Sequence, residues 1–199
     1  IKSWQDRYPN AIVFTNQMGR QFSDEVMLNY MAAAKPDMLM FDTYPFNGQV
    51  SYVPGGSPSF LYSSLDGHRR LGLAGHDGTG RRPIPTAVHT QTFTMASLVS
   101  GHVVTESEAR LNQFSAWAYG YKFINSFIYD RPATTGEGLQ TILFEGPSDV
   151  VPTPLFGQIA ELNRQSRNLG PALVRLLTTD VRFVLGRYKS SPGGASQVI

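Results

Sequence analysis

Apolar residues form four short runs, at positions 11–15, 38–44, 84–93 and 123–129, and turn residues bound each run. The runs begin almost continuously apolar, as in AIVF, MLMF and FINSFIY, and their ends become polar or aromatic. Strands that are covered on both faces have this composition, and such strands occur mainly in parallel sheets. The pattern therefore predicts four parallel strands.

Segments with the hydrophobic periodicity of helices separate these runs. The first helix follows Ser23, which can cap it, and ends before Pro36. Residues 60–73 predict a second helix between two loops rich in Gly, Pro and Ser. Thr105 and Glu108 form a capping box at the start of the third helix. Its expected buried stripe is Leu111, Phe114, Ala118 and Tyr121.

The last helix is predicted to begin at Thr153, because a capping residue is followed there by proline at the first helical position. We expect it to end at Gly170 and Pro171. Beyond it, residues 181–188 predict a strand, and the Ser- and Gly-rich segment from residue 190 predicts a mobile tail. The apolar positions expected to face the sheet are Leu155, Ile159, Leu162 and Leu169.

Strand alternating with helix four times is typical of an α/β fold. With right-handed crossovers, all helices lie on one side of a closing sheet, or on both faces of an open one. The pattern fits a barrel and a doubly wound sheet equally. At 199 residues the chain is long enough for one domain with a core.

Composition excludes several functional classes. The net charge of +2 arises from 17 basic and 15 acidic residues that are interspersed, so we expect no nucleic-acid partner. The chain has no cysteine, which excludes disulfides and thiolate zinc sites, and we expect neither a metal site nor a cofactor. No apolar stretch reaches the roughly 18 residues that a membrane span requires.

Four segments resemble the last part of a β-galactosidase-like glycoside hydrolase barrel. In such barrels one strand ends in Asp-x-Tyr-Pro, the next carries a polar tip that binds sugar, and a helix with an E-x-R motif precedes a strand with aromatic residues at its end. The matching segments here are PDMLMFDTYPF, PIPTAVHTQTF, TESEARLNQFSAWAYGYKFINSFIYD and PLFGQIAELNRQSRNLGPAL.

The resemblance implies an α/β fold that is the second half of a TIM-type (β/α)8 barrel, followed by the start of a β-rich region. Residues 1–175 would supply strands 5–8, and residues 176–199 a strand and a flexible tail leading to an accessory β domain. Half a barrel leaves open sheet edges, which stable monomers avoid. We therefore expect a missing N-terminal half of the barrel, and we also consider a homo-oligomer.

Active sites of barrel enzymes lie at the C-terminal ends of the strands. The four strand ends here carry amides, acids, an imidazole and aromatic rings, which suit sugar hydroxyls and the flat faces of pyranoses. The resemblance implies that they bind carbohydrate. The candidate substrate-binding residues are Asn16, Gln17, Asp42, Tyr44, His89, Gln91, Phe93 and Tyr129.

Several candidates also have structural interpretations. Asn16 and Gln17 equally suit a turn after the strand. The side of the sheet that His89 faces depends on a register that the sequence leaves open by one residue, and a satisfied core histidine fits as well. The aromatic candidates could pack at the rim alone.

The catalytic residues are harder to assign. Retaining glycosidases use two carboxylates about 5 Å apart. In the resembled family the acid/base Glu follows the fourth strand, which is absent here, and the nucleophile Glu ends the seventh, where residues 89–92 carry no carboxylate. The remaining candidates for catalysis are Asp42 and Asp130.

The resemblance implies hydrolysis of a glycosidic bond in an oligo- or polysaccharide. The alternative is a non-catalytic carbohydrate-binding or structural surface protein with a glycosidase-like barrel. A phosphate-binding barrel enzyme is disfavoured, because no Gly-rich phosphate loop follows the last two strands. The compartment stays open, although an extracellular or cell-surface location suits a glycosidase.

Overall fold

A computed structural model describes residues 1–19, 21–46, 58–95, 103–130, 139–145, 151–182, 185–187 and 196–198. Within these ranges the chain forms five helices: α1 (Lys2–Arg7), α2 (Asp24–Ala34), α3 (Pro58–Ala74), α4 (Glu106–Ala118) and α5 (Pro154–Leu173). The strands are β1 (Asn16–Met18), β2 (Leu39–Asp42), β3 (Thr86–Gln91), β4 (Phe93–Met95), β5 (Phe123–Phe127), β6 (Leu139–Thr141), β7 (Phe144–Glu145), β8 (Val151–Pro152), β9 (Leu185–Arg187) and β10 (Ser196–Val198). The α/β class is therefore confirmed.

The main sheet has four strands in the order β1, β2, β3, β5, and every neighbouring pair is parallel. Parallel neighbours require a crossover between them, and α2, α3 and α4 lie in the three crossovers. The spatial order of these strands follows the chain order. A doubly wound sheet reverses its strand order at a switch point, and this sheet does not.

Helices α2, α3 and α4 pack on one face of this sheet. Alternation along the strands places Leu39, Phe41 and Val88 on that face. Their buried helical neighbours are Met27 and Met31 of α2, Leu61, Leu65 and Leu71 of α3, and Ala116 of α4. This one-sided arrangement is compatible with a barrel, and the half-barrel itself stays a prediction.

The helix starts follow the predicted capping signals. The Ser23 hydroxyl accepts a hydrogen bond from the Val26 amide at 3.3 Å. Lys35, the residue that follows α2, has the left-handed conformation. Thr105 and Glu108 form the reciprocal capping box of α4. These interactions satisfy amide groups that have no partner inside their helices.

Helix α5 does not end where the sequence predicted. It begins at Pro154, but it continues past Gly170 to Leu173 with Pro171 inside it. The Val174 amide donates to the Gly170 carbonyl at 2.9 Å, so hydrogen bonding resumes beyond the proline. Leu169 is exposed, whereas the other three apolar positions predicted for α5 are buried.

The first predicted strand is displaced. Residues 11–15 form no strand, and β1 begins at Asn16. The Val13 amide and carbonyl bond instead to Asp37, at 2.8 and 2.9 Å, in the turn before β2. The pairing with the sheet therefore starts later than the apolar pattern suggested.

Four short strands were not predicted. β4 pairs antiparallel with β6, and β7 pairs antiparallel with β8, beside the ends of the main sheet. The predicted strand at 181–188 contains β9, which pairs antiparallel with β10. Ser196–Val198, which the sequence placed in a mobile tail, are thus a strand. An accessory β domain stays a prediction.

Candidate functional site

A row of polar side chains crosses the main sheet near its C-terminal edge. Met18 is the neighbour of Asp42, Asp42 of His89, and His89 of Asn125 in the parallel register. Because strand residues alternate between faces and the adjacent Phe41 lies on the helical side, these residues lie on the opposite face. We call Asp42, His89 and Asn125 the polar row.

His89 is held by its neighbour in the polar row. The side-chain nitrogen Nδ2 of Asn125 lies 3.2 Å from Nδ1 of His89. If that amide donates, the neutral imidazole carries its proton on Nε2. Partial burial lowers the pKa of His89, and the charge of Asp42 opposes this shift. The imidazole is therefore favoured in its neutral form.

Asp42 lies near a tyrosine just beyond its own strand. Burial raises the pKa of Tyr44 well above its usual range, and the negative charge of the nearby Asp42 carboxylate acts in the same direction. Tyr44 thus stays protonated beside Asp42.

Aromatic rings adjoin the polar row. The Tyr44 ring meets Phe93 edge-on with centroids 4.7 Å apart, and stacks on Phe127 at 5.8 Å. The His89 ring meets Phe127 edge-on at 5.9 Å. These geometries are the favourable ones for aromatic pairs. The strand ends therefore combine a polar row with an aromatic cluster of Tyr44, Phe93 and Phe127.

The Gln91 side chain is hydrogen-bonded to the backbone, and its predicted role in substrate binding stays a prediction. Its side chain is only 2% exposed, and its Oε1 accepts from the Phe46 amide at 3.1 Å. Its Nε2 donates to the carbonyls of Phe46, at 3.2 Å, and Phe93, at 3.3 Å. All three hydrogen bonds of this amide therefore go to backbone groups. They connect the segment after β2 to the end of β3. The amide positions the loop with Tyr44 and has no donor left for a sugar.

The two amide side chains on β1, those of Asn16 and Gln17, lie on opposite faces of the sheet. Gln17 is the register partner of Phe41 and therefore lies on the helical face, where its Nε2 donates to the Thr15 hydroxyl at 2.9 Å. Gln17 therefore lies on the face opposite the polar row, and its binding role stays a prediction. Asn16 is exposed opposite Met40, which makes it a diagonal neighbour of Asp42 at about 8 Å by strand geometry.

The last two candidates lie beyond the end of β5. Tyr129 is exposed, and its ring meets Phe144 edge-on at 5.2 Å. Asp130 follows it and is exposed. The structure therefore brings Asp42, Tyr44 and His89 together, and it places these two outside the row.

Asn125 and Phe127 were missed by sequence reasoning. Both lie on β5 on the same face as His89, and each touches it. One signal was available for Asn125, because an amide in the middle of an otherwise apolar strand needs a partner. Phe127 carried no comparable signal, since phenylalanine is common in strands.

The row has one carboxylate. Along the face formed by the four described strands of the main sheet, Asp42 is the single acidic residue. Among the residues that the structure describes, no group of three or more His, Asp or Glu could hold a metal ion. No helix in the described ranges is long and apolar enough to cross a membrane.

Comparison with known proteins found no relative. No family model, no curated protein and no solved structure matches this chain. Membership of the glycoside hydrolases therefore stays a prediction that rests on the residues themselves.

Proposed function

We propose that the chain binds carbohydrate at the polar row, as part of a glycoside hydrolase-like protein that acts on a glycosidic bond of an oligo- or polysaccharide. The observation that carries the proposal is the alignment of a carboxylate, an imidazole and an amide on adjacent strands. The aromatic cluster lies directly beside them.

The hydrogen-bonding groups of the row complement sugar hydroxyls, which both donate and accept. Asp42 offers charged acceptor oxygens, and hydrogen bonds to charged groups are stronger than neutral ones. His89 offers a donor at Nε2 when Asn125 occupies its Nδ1. A neighbouring pair of hydroxyls could therefore bond an acceptor and a donor at once.

The presence of a single carboxylate, that of Asp42, helps to distinguish hydrolysis from simple binding of carbohydrate. Glycoside hydrolysis requires two carboxyl groups, about 5–5.5 Å apart in retaining enzymes and about 6.5–9.5 Å apart in inverting ones. In the described part of the sheet face, Asp42 has no second acid beside it. This observation favours the non-catalytic candidate, carbohydrate binding, for the 199-residue chain alone.

Calorimetric titration with a panel of oligosaccharides tests the proposal. We expect Asp42→Asn to weaken binding by about 1–3 kcal/mol, because it removes the charge of the acceptor while keeping its shape. Asp6→Asn is the matched control, since Asp6 is exposed on α1 and bonded to Lys2, and it should leave affinity unchanged. Equal affinity of Asp42→Asn and wild type would remove Asp42 from the site, and no binding by wild type would refute the proposal.

A further inference from the structure

The main sheet has two edge strands that carry no protection against pairing. Among the described residues, β1 pairs only with β2, and β5 pairs only with β3. β1 reads NQM and β5 reads FINSF, without a charged residue or proline. Edge strands of soluble proteins are usually blunted by charges, prolines or bulges. Uncharged edges of this kind are suited to receiving another strand.

The exposed apolar residues of this face lie at its two edges. At the β1 edge Ile12, Phe14 and Met18 are 66%, 38% and 62% exposed, and at the β5 edge Phe123 is 45% exposed. In the middle of the same face Met40 and Ala87 are fully buried. Exposure confined to both edges is expected of a sheet that continues on each side.

We propose that two copies of this chain associate about a two-fold axis that coincides with the axis of an eight-stranded barrel. In this dimer β5 of each copy pairs in parallel with residues 12–16 of the other. Four parallel strands in chain order, with helices on one face, would form one half of an eight-stranded barrel of this kind. Because the two edges of the sheet differ, each copy pairs its β5 with residues 12–16 of the other copy, and these two pairings close the ring.

The barrel geometry fixes the register of the new pairing. In an eight-stranded barrel with a shear of about 8, a row perpendicular to the strands returns about eight residues nearer the N-terminus after one circuit. Half a circuit therefore shifts the row by about four residues. The row that runs from Met18 to Asn125 continues to Phe14 of the second copy. Phe123 then lies beside Ile12 of that copy.

This register accounts for the segment in which sequence and structure disagree. Residues 11–15 read AIVFT, which is typical of a strand, yet they form none in a single copy. The proposed pairing places most of this segment in the ladder with β5.

The exposed apolar side chains at the two edges supply part of the area that the two strand pairings, or seams, of the dimer would bury. A large apolar side chain buries roughly 150–250 Å², so the exposed fractions of the four edge side chains amount to on the order of 400 Å² per copy. That is about half of the roughly 800 Å² that each partner contributes to a standard interface. Backbone groups of both seams and their flanking residues supply the remainder.

The dimer would also complete the candidate site. Both polar rows would face one barrel interior, and Asp42 of the second copy would add a carboxylate to it. This consequence rests on the proposed carbohydrate function, whereas the dimer rests on the strands alone. Failure of sugar binding in a dimeric protein would therefore refute the first and leave the second.

Engineered cross-linking tests the pairing directly, because the chain has no cysteine of its own. In Ile12→Cys/Phe123→Cys each new thiol should lie beside its counterpart in the other copy. Within one copy the two edge strands are three spacings apart, about 14 Å, beyond the roughly 7 Å limit between the Cα atoms of a disulfide. We expect mild oxidation to give a covalent dimer on a non-reducing gel.

The matched control is Phe123→Cys/Val151→Cys, because Val151 is similarly exposed but lies on β8. It should remain monomeric on the same gel. Equal dimer formation by both double variants, or none by the first, would overturn the proposed register.

The molar mass from light scattering tests the association without cysteines. Wild type should have twice the chain mass of 22.0 kDa, and Ile12→Asp should have the single mass because it places a charge in the seam. Val151→Asp should stay dimeric, and circular dichroism should show all three proteins folded. A monomeric wild type at the cross-linking concentration would overturn the proposal, since the edges must then be covered by something other than a second copy.

Discussion

Replacement of Gln91 by leucine should destabilise the fold without changing the volume of the core greatly. The Gln91 side chain makes three hydrogen bonds, and all of them go to backbone groups of Phe46 and Phe93. Both phenylalanines are buried, so water cannot easily replace the lost partner. Leucine would remove all three hydrogen bonds from these backbone groups.

The magnitude follows from the cost of an unsatisfied buried group, which is about 1–3 kcal/mol. The distances of 3.1 to 3.3 Å are long for such bonds, and the carbonyls can keep some of their other contacts. We therefore expect Gln91→Leu to lower the free energy of unfolding by about 2–4 kcal/mol in urea titrations.

Gln17→Leu is the matched control for this measurement. The Gln17 amide donates to the hydroxyl of Thr15, which is exposed, so water can replace the lost donor. We expect this change to cost less than about 0.5 kcal/mol. If Gln91→Leu lost no more stability than Gln17→Leu, Gln91 would not hold the β2 loop to β3, and its side chain would be available for a ligand.

Three further outcomes can be measured. Burial lowers the pKa of His89 in the folded state, so the unfolded chain binds more protons just below pH 6.5. The free energy of unfolding should therefore decrease as the pH falls through that region. The decrease should be smaller in His89→Gln. Thr105→Ala should lower stability by about 0.5–2 kcal/mol in urea titrations, and Ser107→Ala, exposed in the same turn, much less. Gly75→Ala should lower the melting temperature, because Gly75 has φ +72° and an added Cβ would lie 2.2 Å from a backbone oxygen. Gly157→Ala should raise the melting temperature, because Gly157 lies within α5 and an added Cβ would have nothing within 4 Å.

The local signals in the sequence predicted the helix starts well. Ser23 and Thr105 cap helices through contacts within three residues, and Pro154 stands at the first position of α5. Such signals depend on neighbours in the chain and need no knowledge of the fold. The end of α5 was wrong because a proline near a helix end removes a single amide, and the turn beyond it can still form.

The buried side of α4 was predicted poorly for a different reason. The apolar stripe was expected at Leu111, Phe114, Ala118 and Tyr121. Tyr121 is buried as expected, but Ala118 is exposed and Gln113 is buried. The Gln113 amide donates to the hydroxyl of Ser166 on α5 at 2.6 Å, and the Trp117 indole donates to the same oxygen at 2.7 Å. A helix contact built from polar side chains has no signature in hydrophobic periodicity.

The candidate site depended on which face each strand end presents. The sequence correctly assigned polar strand ends to β2 and β3, but it left open whether His89 or Thr90 faced the site. The register answers this, because His89 lies beside Asp42 and Asn125, while Thr90 donates toward the Asn125 carbonyl. Since the side-chain period in a strand is two, an error of one residue changes the face.

The same alternation limits what the four strands of one chain can contribute to the proposed carbohydrate site. Each strand of the main sheet offers every second residue to the helix-free face, and near the C-terminal edge these are Met18, Asp42, His89 and Asn125. Three of them can hydrogen-bond, and one of them is acidic. A second acid can reach that face only from outside the four strands, so the activity and the assembly state of the protein should be measured together.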